Sequence, residues 1–163
     1  MKASVRSRTR SAEAFIALGS NEGDRLLNLG EAKRRLALLG ALTSGPLLET
    51  EAVLAPGDRT PQARYLNTVV SLRTALDTHA LHAALKRIER QMGRRETTRW
   101  APRVIDLDLL VRGDEVIATP ALTVPHPRLH ERAFVLSPLA ALAPELVVPT
   151  LGQTVRALAR RLG

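Results

Sequence analysis

The sequence predicts an α+β fold of the ferredoxin-like type, in which a four-stranded antiparallel sheet carries helices on one face. Apolar runs and helical repeats follow one another in the order strand, helix, strand, strand, helix, strand, which is the order of a split β-α-β unit. The chain has 163 residues, the length of one compact domain, and 45% of them are hydrophobic, enough to build a core. A C-terminal hairpin and further helices are expected after this unit.

The first half of the chain is expected to form three strands and one helix. Asp24 can cap the helix, in which leucines recur at helical spacing, and Gly40 can end it. Gly45 and Pro46 weaken the second strand because both residues are poor strand formers. The predicted elements are a strand at 14–18, a turn at 19–21, a helix between Asp24 and Gly40, strands at 43–54 and 65–72, and a loop at 55–64.

The second half is expected to complete the sheet and to add C-terminal elements. Thr78 can cap a second helix, whose apolar residues recur at helical spacing and which Gly93 ends. A polar loop then leads into an apolar fourth strand. The predicted elements are this helix, the loop at 94–103, the strand at 104–111, a hairpin near 116–124, a helical stretch at 130–139 and a final helix at 153–162.

Composition excludes several classes of protein and site. There is no cysteine, which excludes disulfides, thiolate zinc sites and thiol catalysis, and no run of 18 apolar residues suggests a membrane span. The net charge is +8, and 21 of the 24 cationic residues are arginine. Such a charge favours an anionic partner, namely nucleic acid, a membrane surface or a polyphosphate, although genomic composition also explains scattered arginines.

The N-terminal segment is expected to be a disordered extension at 1–13, and residues 14–163 a single domain. The extension is polar and basic and lacks the apolar stretch of a secretory signal. Its serine and arginine content resembles that of an organelle transit peptide, but a disordered extension is the simpler interpretation. We expect a cytoplasmic protein.

The predicted strand at 104–111 carries the most informative pattern. Asp106 and Asp108 are two residues apart, so they share one face of the strand, about 6.6 Å apart at the backbone. A solvated edge strand would also tolerate this pair. However, neighbouring like charges in an apolar strand are unfavourable unless a cation neutralises them, and magnesium prefers oxygen ligands. The pair therefore predicts a magnesium site.

The loop before this strand supplies clustered arginines at Arg94, Arg95, Arg99 and Arg103. Guanidinium groups are forked donors that bind phosphates, although a basic loop can also be simply solvated. Beside a carboxylate pair, such a cluster is typical of phosphoryl transfer.

Only four aromatic residues occur in the chain, and three lie outside the first strand. Tyr65, Trp100 and Phe134 can stack on a flat heterocycle, although core packing is the commoner role of a single ring. Asn67 can read the edge of such a heterocycle, and His126, held between two prolines, can bond a phosphate or a ribose.

Together these segments resemble the 6-hydroxymethyl-7,8-dihydropterin pyrophosphokinase family of folate biosynthesis. The run from Arg99-Trp100-Ala101-Pro102-Arg103 into Asp106-Leu107-Asp108 is highly specific, whereas Gly19-Ser20-Asn21 alone is not. The other matching segments are Tyr65-Leu66-Asn67, Ile88-Glu89 to Gly93-Arg94, Leu122-Thr123-Val124-Pro125-His126-Pro127 and Glu131-Arg132-Ala133-Phe134.

The resemblance implies transfer of diphosphate from ATP, the co-substrate, to the hydroxymethyl group of the pterin, with release of AMP. It implies two Mg²⁺ ions on Asp106 and Asp108, and a catalytic set of Arg94, Arg103, Asp106 and Asp108. The implied ATP-binding residues are Lys86, Glu89, Arg94, Trp100, Arg103, Leu109, Thr123, His126 and Arg132. The implied pterin-binding residues are Thr50, Tyr65, Asn67, Trp100, Asp106 and Phe134.

The chain departs from the family pattern at a few positions. Ala101 stands where glycine is usual, Glu96 where a basic residue is frequent, and Lys86 where glutamine is common. The metal pair and the pterin-binding residues follow the pattern.

Two other interpretations remain. A small basic RNA-binding module would need aromatic residues on its central strands to stack bases, whereas the strand at 104–111 carries two aspartates. A relative with a dead site is disfavoured because Trp100, Arg103, Asp106 and Asp108 are intact. We expect a monomer that acts on small molecules and binds neither nucleic acid nor membrane.

Overall fold

The computed structural model describes residues 12–94 and 99–163. In chain order, the elements of the first part are β1 (Ala12–Ser20), α1 (Arg25–Ala37), β2 (Gly40–Ser44), β3 (Leu48–Thr50), β4 (Tyr65–Thr74), α2 (Thr78–Gln91) and β5 (Asp106–Arg112). The C-terminal elements are β6 (Ile117–Ala118), β7 (Thr123–Val124), a 3-10 turn (Leu129–Glu131), α3 (Ala133–Leu142), β8 (Val147–Val148), β9 (Gln153–Thr154) and α4 (Val155–Leu162).

The principal sheet is antiparallel and has the strand order β2-β4-β1-β5. β3 also pairs with β4, along residues 65–67, whereas β2 pairs with residues 70–74. This α+β arrangement confirms the predicted fold class. β1 and β4 are the central strands, and β5 lies at one edge. No helix within the described residues is long and apolar enough to cross a membrane.

The sheet separates two hydrophobic cores. One face packs against α1 and α2, and this core contains Leu29, Leu36, Leu81, Leu85 and Leu107 together with the other residues of that face. The opposite face packs against α3 and α4, in a core that contains Phe15, Val69, Leu110, Leu136 and Leu158. The expectation of helices on one face therefore holds for α1 and α2 only. The C-terminal helices cover part of the other face, and the remainder of that face forms the floor of a cavity.

Several predicted boundaries differ from the structure, each for a local reason. β1 begins at Ala12, two residues before the expected position, and runs through Ser20, because pairing with β4 continues to that residue. Gly19 and Ser20 are thus strand residues and not a turn. Residues 1–11, which make up most of the expected extension, lie outside the described part of the chain.

The helix boundaries also shift by a few residues. Asp24 caps α1 as predicted, with its carboxylate accepting from the Leu27 amide at 3.0 Å. The helix ends at Ala37, and Gly40 begins β2 because it pairs with β4. The side chain of Asp77, and not Thr78, caps α2 by accepting from Ala80 at 2.7 Å.

The predicted second strand is divided, and one hairpin was not predicted. Residues 45–47 separate β2 from β3 at the Gly45-Pro46 pair, which had already weakened that prediction. β5 begins at Asp106 and not at 104, since its ladder with β1 starts where Gly19 lies opposite Asp106. The β6–β7 hairpin confirms the expectation for 116–124, whereas β8 and β9 are too short to leave a pattern in the sequence.

Candidate active site

Three neighbouring strands bring the candidate residues into one row across the sheet. Gly19 of β1 lies opposite Asn67 of β4 on one side and opposite Asp106 of β5 on the other. Residues that lie opposite one another in a sheet share a face, as do residues two apart in a strand. Tyr65 and Asp108 therefore belong to the same face as this row. The register alone places a carboxylate pair at one end and a ring with an amide at the other.

Gly19 leaves the space between these two ends open. A Cβ atom at this position would lie 3.2 Å from Oδ1 of Asn67 and 3.4 Å from Cδ1 of Tyr65. Any side chain would therefore crowd both groups. The glycine was expected in a turn, and its role in the floor of the site follows only from the sheet register.

The face forms a cavity of about 460 Å³. Its floor is made by β1, β4 and β5, and α3 with the segment before it provides a wall. Eight of the predicted site residues line it: Thr50, Tyr65, Asn67, Trp100, Asp106, Asp108, Arg132 and Phe134. Every residue predicted to bind the flat heterocycle is among them.

Asn67 presents an acceptor to the cavity. Its side chain is buried, with 6% of the residue exposed. Nδ2 donates to the Leu48 carbonyl at 3.2 Å and to Oγ1 of Thr50 at 2.9 Å. Both N–H groups are thus occupied, and Oδ1 is left to accept from a ligand. The sequence alone allowed either a donor or an acceptor here.

Tyr65 and Phe134 bring rings to the cavity from β4 and α3. Burial, reinforced by the negative charge of Asp106, raises the pKa of Tyr65 to about 12. The phenol is therefore neutral at physiological pH, and its ring and hydroxyl are available for stacking and hydrogen bonding. The guanidinium carbon of Arg132 lies 5.8 Å from the centroid of the Phe134 ring, so a cation borders the aromatic part of the cavity.

Asp106 is surrounded by charge. Its Oδ1 accepts from Nη1 of Arg103 at 3.0 Å and pairs with Nη2 of Arg94 at 3.2 Å. Burial, then repulsion from Asp108, raise the pKa of Asp106 to about 7, and the positive charge of Arg94 opposes this rise. Two arginines therefore do not fully compensate the buried acidic pair, and a further cation would stabilise its charged form.

The donor set fits magnesium. Asp106 and Asp108 supply carboxylate oxygens on one face of β5, and among the described residues no third Asp, Glu or His completes a cluster of three. Magnesium commonly binds through one or two carboxylates and takes its other ligands from water and substrate phosphates. An all-protein cage, as calcium or zinc sites often have, is not present in the described part of the chain.

Glu89 has a position that the sequence did not reveal. It is 2% exposed, and its Oε2 accepts from the Leu107 amide of β5 at 3.0 Å. The same carboxylate pairs with Arg94, and its other oxygen lies 3.2 Å from Nζ of Lys86. Glu89 thus joins α2 to β5 and orients Arg94 toward Asp106. It does not line the cavity, so its carboxylate is committed to the protein.

Four other predicted nucleotide residues also lie outside the cavity lining. Lys86 is on α2 beside Glu89, Leu109 is 5% exposed within the α1–α2 core, and Thr123 is exposed on β7. The amide of His126 donates to the Leu110 carbonyl at 2.8 Å, which holds the histidine against β5. Arg94 and Arg103 reach the site through Asp106 and do not line the cavity either.

The tautomer of His126 follows from its hydrogen bond. Nδ1 accepts from the amide of Arg128 at 3.1 Å. Burial is the main cause that lowers the pKa of His126, against the opposing charge of Asp108. The ring is therefore neutral with its proton on Nε2, which can donate to an anionic ligand.

Three charged residues that line the cavity were not predicted, namely Glu51, Arg128 and Glu131. Arg128 and Glu131 form an exposed ion pair at 3.2 Å on the 3-10 turn and the residue before it. Their spacing in the sequence does not distinguish them from ordinary surface charges. Arg95 and Glu96, in the predicted arginine loop, lie outside the described residues.

The strands β1 and β5 present no exposed ring on which RNA bases could stack. Phe15 is the one aromatic residue of β1, and it is buried in the α3–α4 core at 4% exposure. β5 carries no ring. Base stacking on these strands would require exposed rings.

The chain was compared with known families and proteins. Residues 15–144 match the family model for 7,8-dihydro-6-hydroxymethylpterin-pyrophosphokinase. The chain is 40% identical over 136 residues to 2-amino-4-hydroxy-6-hydroxymethyldihydropteridine pyrophosphokinase of Bacillus subtilis, covering 82% of this chain and 79% of that protein. A protein of the same name from Methylorubrum extorquens is 39% identical over 146 residues, covering 88% and 89% respectively.

Longer proteins match over part of their length. The chain is 46% identical over 138 residues to the mitochondrial folate synthesis bifunctional protein of Pisum sativum, covering 83% of this chain but only 26% of that protein. A crystal structure of wild-type Plasmodium falciparum HPPK-DHPS superposes with a TM-score of 0.72 at 15% identity, covering 94% of this chain and 44% of that one. The structural likeness supports the fold.

Proposed function

We propose that this chain, which belongs to the 7,8-dihydro-6-hydroxymethylpterin-pyrophosphokinase family, transfers diphosphate from ATP to 6-hydroxymethyl-7,8-dihydropterin, releasing AMP in folate biosynthesis. One observation carries the proposal. One end of the cavity is lined by an acidic pair, of which Asp106 is paired with two arginines, and the other end by two rings and a buried amide. The first end suits a metal-bound polyphosphate, and the second suits a flat, hydrogen-bonding heterocycle.

The pterin binds at the aromatic end. Tyr65 and Phe134 stack on the heterocycle, and Trp100 covers it from the loop side. Oδ1 of Asn67 accepts from an N–H of the ring, because both N–H groups of this amide are held by Leu48 and Thr50. Thr50 therefore acts partly through Asn67, by fixing the orientation of the amide.

The phosphates bind at the charged end, where Arg94, Arg103 and Arg132 neutralise the triphosphate and align it. Asp106 and Asp108 would hold two Mg²⁺ ions. When bound, they polarise the phosphates and reduce their charge. The hydroxymethyl oxygen of the pterin attacks the β-phosphorus and loses its proton to water. The bond from the β-phosphorus to the bridging oxygen breaks, and AMP leaves with that oxygen. The chain contributes positioning and charge stabilisation and forms no covalent intermediate.

The nucleoside part of ATP lies along the β5 edge, outside the cavity. Lys86, Leu109 and Thr123 border it, and the Nε2–H of His126 donates to it. Glu89 contributes by orienting Arg94, since its carboxylate oxygens already bind Leu107, Arg94 and Lys86. Residues 14–163 act as one catalytic domain, as a monomer in the cytoplasm, without nucleic acid or membrane partners.

The test is product identity. The protein is incubated with ATP, magnesium and 6-hydroxymethyl-7,8-dihydropterin, and nucleotides are separated by chromatography. AMP formed in a one-to-one ratio with the pterin diphosphate supports the proposal, whereas ADP or no product overturns it. Asp108→Ala should abolish AMP release while the far-ultraviolet circular dichroism stays that of the wild type. Asp114→Ala, at an exposed turn position, is the matched control and should retain full activity.

A further inference from the structure

We propose that Asn21 and Gln62 are positioning residues that hold Arg103 and Trp100 in place at the cavity. The catalytic consequence of this inference rests on the proposed function. Neither residue lines the cavity. Each instead binds backbone or amide groups of the two loops that flank it, so any effect on the reaction must act through the residues that they hold.

Asn21 and Arg103 form a hydrogen-bonded pair just past the end of the β1–β5 pairing. Asn21 directly follows β1 and is only 2% exposed. Its backbone N–H donates to the Arg103 carbonyl at 3.0 Å, and its side-chain Oδ1 accepts from the backbone N–H of Arg103 at 2.8 Å. Both backbone groups of Arg103 are thus bound to one residue. This fixes the backbone from which the guanidinium reaches Asp106.

The side-chain NH2 group of Asn21 binds the loop before β4. Nδ2 donates to Oε1 of Gln62 at 3.2 Å and to the Ala63 carbonyl at 3.1 Å. Gln62 in turn donates from Nε2 to the Trp100 carbonyl at 2.7 Å. A relay of side-chain amides therefore runs from Arg103, through Asn21 and Gln62, to Trp100.

The relay joins the two ends of the cavity. Residues 62–63 lead directly into Tyr65, which begins β4 at the aromatic end. Arg103 lies at the charged end, and its Nη2 also binds the Arg99 carbonyl at 3.2 Å. Three carbonyls of the segment 99–103, those of Arg99, Trp100 and Arg103, therefore accept hydrogen bonds, and Gln62 donates to the second of them. Removing the Gln62 contact should release Trp100 while every other lining side chain remains in place.

Trp100 is the single tryptophan of the chain, so its fluorescence reports directly on this contact. Two variants separate the bonds of Gln62. Gln62→Leu removes both hydrogen bonds, whereas Gln62→Glu retains an acceptor for Asn21 but has no donor for the Trp100 carbonyl. Gln153→Leu, the same substitution on β9 outside the cavity lining, is the matched control.

The first measurement is acrylamide quenching of Trp100 in the protein without substrates. We expect the quenching constant to rise about twofold in both Gln62 variants, because each loses the hydrogen bond that restrains the loop at Trp100. Gln153→Leu should match the wild type. If both Gln62 variants also match the wild type, or if the control rises equally, the positioning role is wrong. A purely stabilising role would lower the melting temperature without changing quenching in the folded protein.

The second measurement is the steady-state rate of AMP release. We expect kcat/KM for the pterin to fall about tenfold in both Gln62 variants, because displaced groups lose alignment with the reacting atoms. A change of less than twofold would contradict the catalytic part of the inference. The two proposals fail separately, since quenching needs no substrate. A wild-type protein that releases no AMP refutes the proposed function, whereas unchanged quenching refutes the relay.

Discussion

At the residue scale, Asp106 bears a carboxyl whose negative charge lowers the stability of the folded protein. Its carboxyl is largely buried beside Asp108, and these two causes raise its pKa to about 7 although Arg94 and Arg103 pair with it. Without a bound cation, the charged form of this carboxyl is therefore less favourable in the folded protein than in the unfolded chain. Such a cost to the stability of the free protein is common at functional sites, and it agrees with the proposed role of Asp106.

Asp106→Asn should consequently stabilise the metal-free protein and abolish AMP release. A folded-state pKa above the ordinary value of 3.8 contributes stability below about pH 4, and this contribution is lost as pH rises through about 7. The advantage of the variant should thus be small at pH 4, grow between pH 4 and 7, and reach about 4 kcal/mol at pH 8. Urea unfolding in the presence of EDTA measures it.

The control for this prediction is Asp114→Asn, which removes an exposed carboxylate. Its stability difference from the wild type should not change with pH over the same range. An Asp106→Asn variant that is less stable than the wild type at pH 8 would show that the two arginine pairs outweigh burial and repulsion.

Gly19 provides a second prediction at this scale. Gly19→Ala would place a Cβ 3.2 Å from Oδ1 of Asn67, a contact that forces the amide to shift by a few tenths of an ångström. We expect KM for the pterin to rise about tenfold, since the displaced amide reads the ring, while KM for ATP stays within twofold. Gly30→Ala on α1, where a Cβ meets no atom within 4 Å, should leave both constants unchanged. An equal rise in both KM values would contradict a local effect.

At the element scale, the junction of α2 and β5 depends on one carboxylate. Glu89 reaches from the last turns of α2 to the Leu107 amide, so the helix and the edge strand are joined by a buried, charge-assisted hydrogen bond. β5 carries both aspartates, and within the described residues it pairs in the sheet with β1 alone. The position of the acidic pair thus depends on α2 as well as on the ladder.

Glu89→Ala should lower the free energy of unfolding by about 2–4 kcal/mol, because it leaves the Leu107 amide without its partner and removes the charge between Arg94 and Lys86. Chemical denaturation measures the loss. Glu89→Gln keeps an acceptor and should recover part of the difference, whereas Glu22→Ala, at an exposed position, should have no effect above about 0.5 kcal/mol. A Glu89→Ala variant of wild-type stability would mean that the junction is maintained by apolar packing alone.

At the scale of the whole molecule, the two cores share one sheet. β1 contributes Ile16 and Leu18 to the α1–α2 core and Phe15 to the α3–α4 core. If one core loses its packing, the strands that also carry the other core lose support on one face. We therefore expect the C-terminal helices to unfold together with the ferredoxin-like part as one cooperative unit. One of these helices, α3, forms the cavity wall that bears Phe134.

Leu85→Ala and Leu136→Ala test this unity, since each removes a fully buried leucine from a different core. Each should destabilise the protein by about 2–5 kcal/mol. Both variants should unfold in one transition by circular dichroism and by Trp100 fluorescence. Leu38→Ala, at a position 85% exposed, should change stability by less than about 0.5 kcal/mol. Separate transitions in either core variant would instead show two independent units.

Strand and helix order was predictable because periodicity is a local property. The alternation around Asp106 and Asp108 and the cap at Asp24 need only neighbouring residues to be recognised. The end of β1 was mispredicted because Gly19 and Ser20 have turn propensity, and only pairing with β4 overrides it. β8 and β9 have two residues each, too few for a period to appear.

The sequence by itself determined the fold class, the family and the chemical inventory of the site, since specific motifs such as Arg99-Trp100-Ala101-Pro102-Arg103 carry them in consecutive residues. Tertiary structure decided what each group faces. It assigned Glu89 to the α2–β5 junction, left only the carbonyl of Asn67 free for a ligand, and connected Asn21 to Gln62 across 41 positions of the chain. Hydrogen bonds between residues distant in sequence depend on sheet register and burial, and neither is encoded in local spacing.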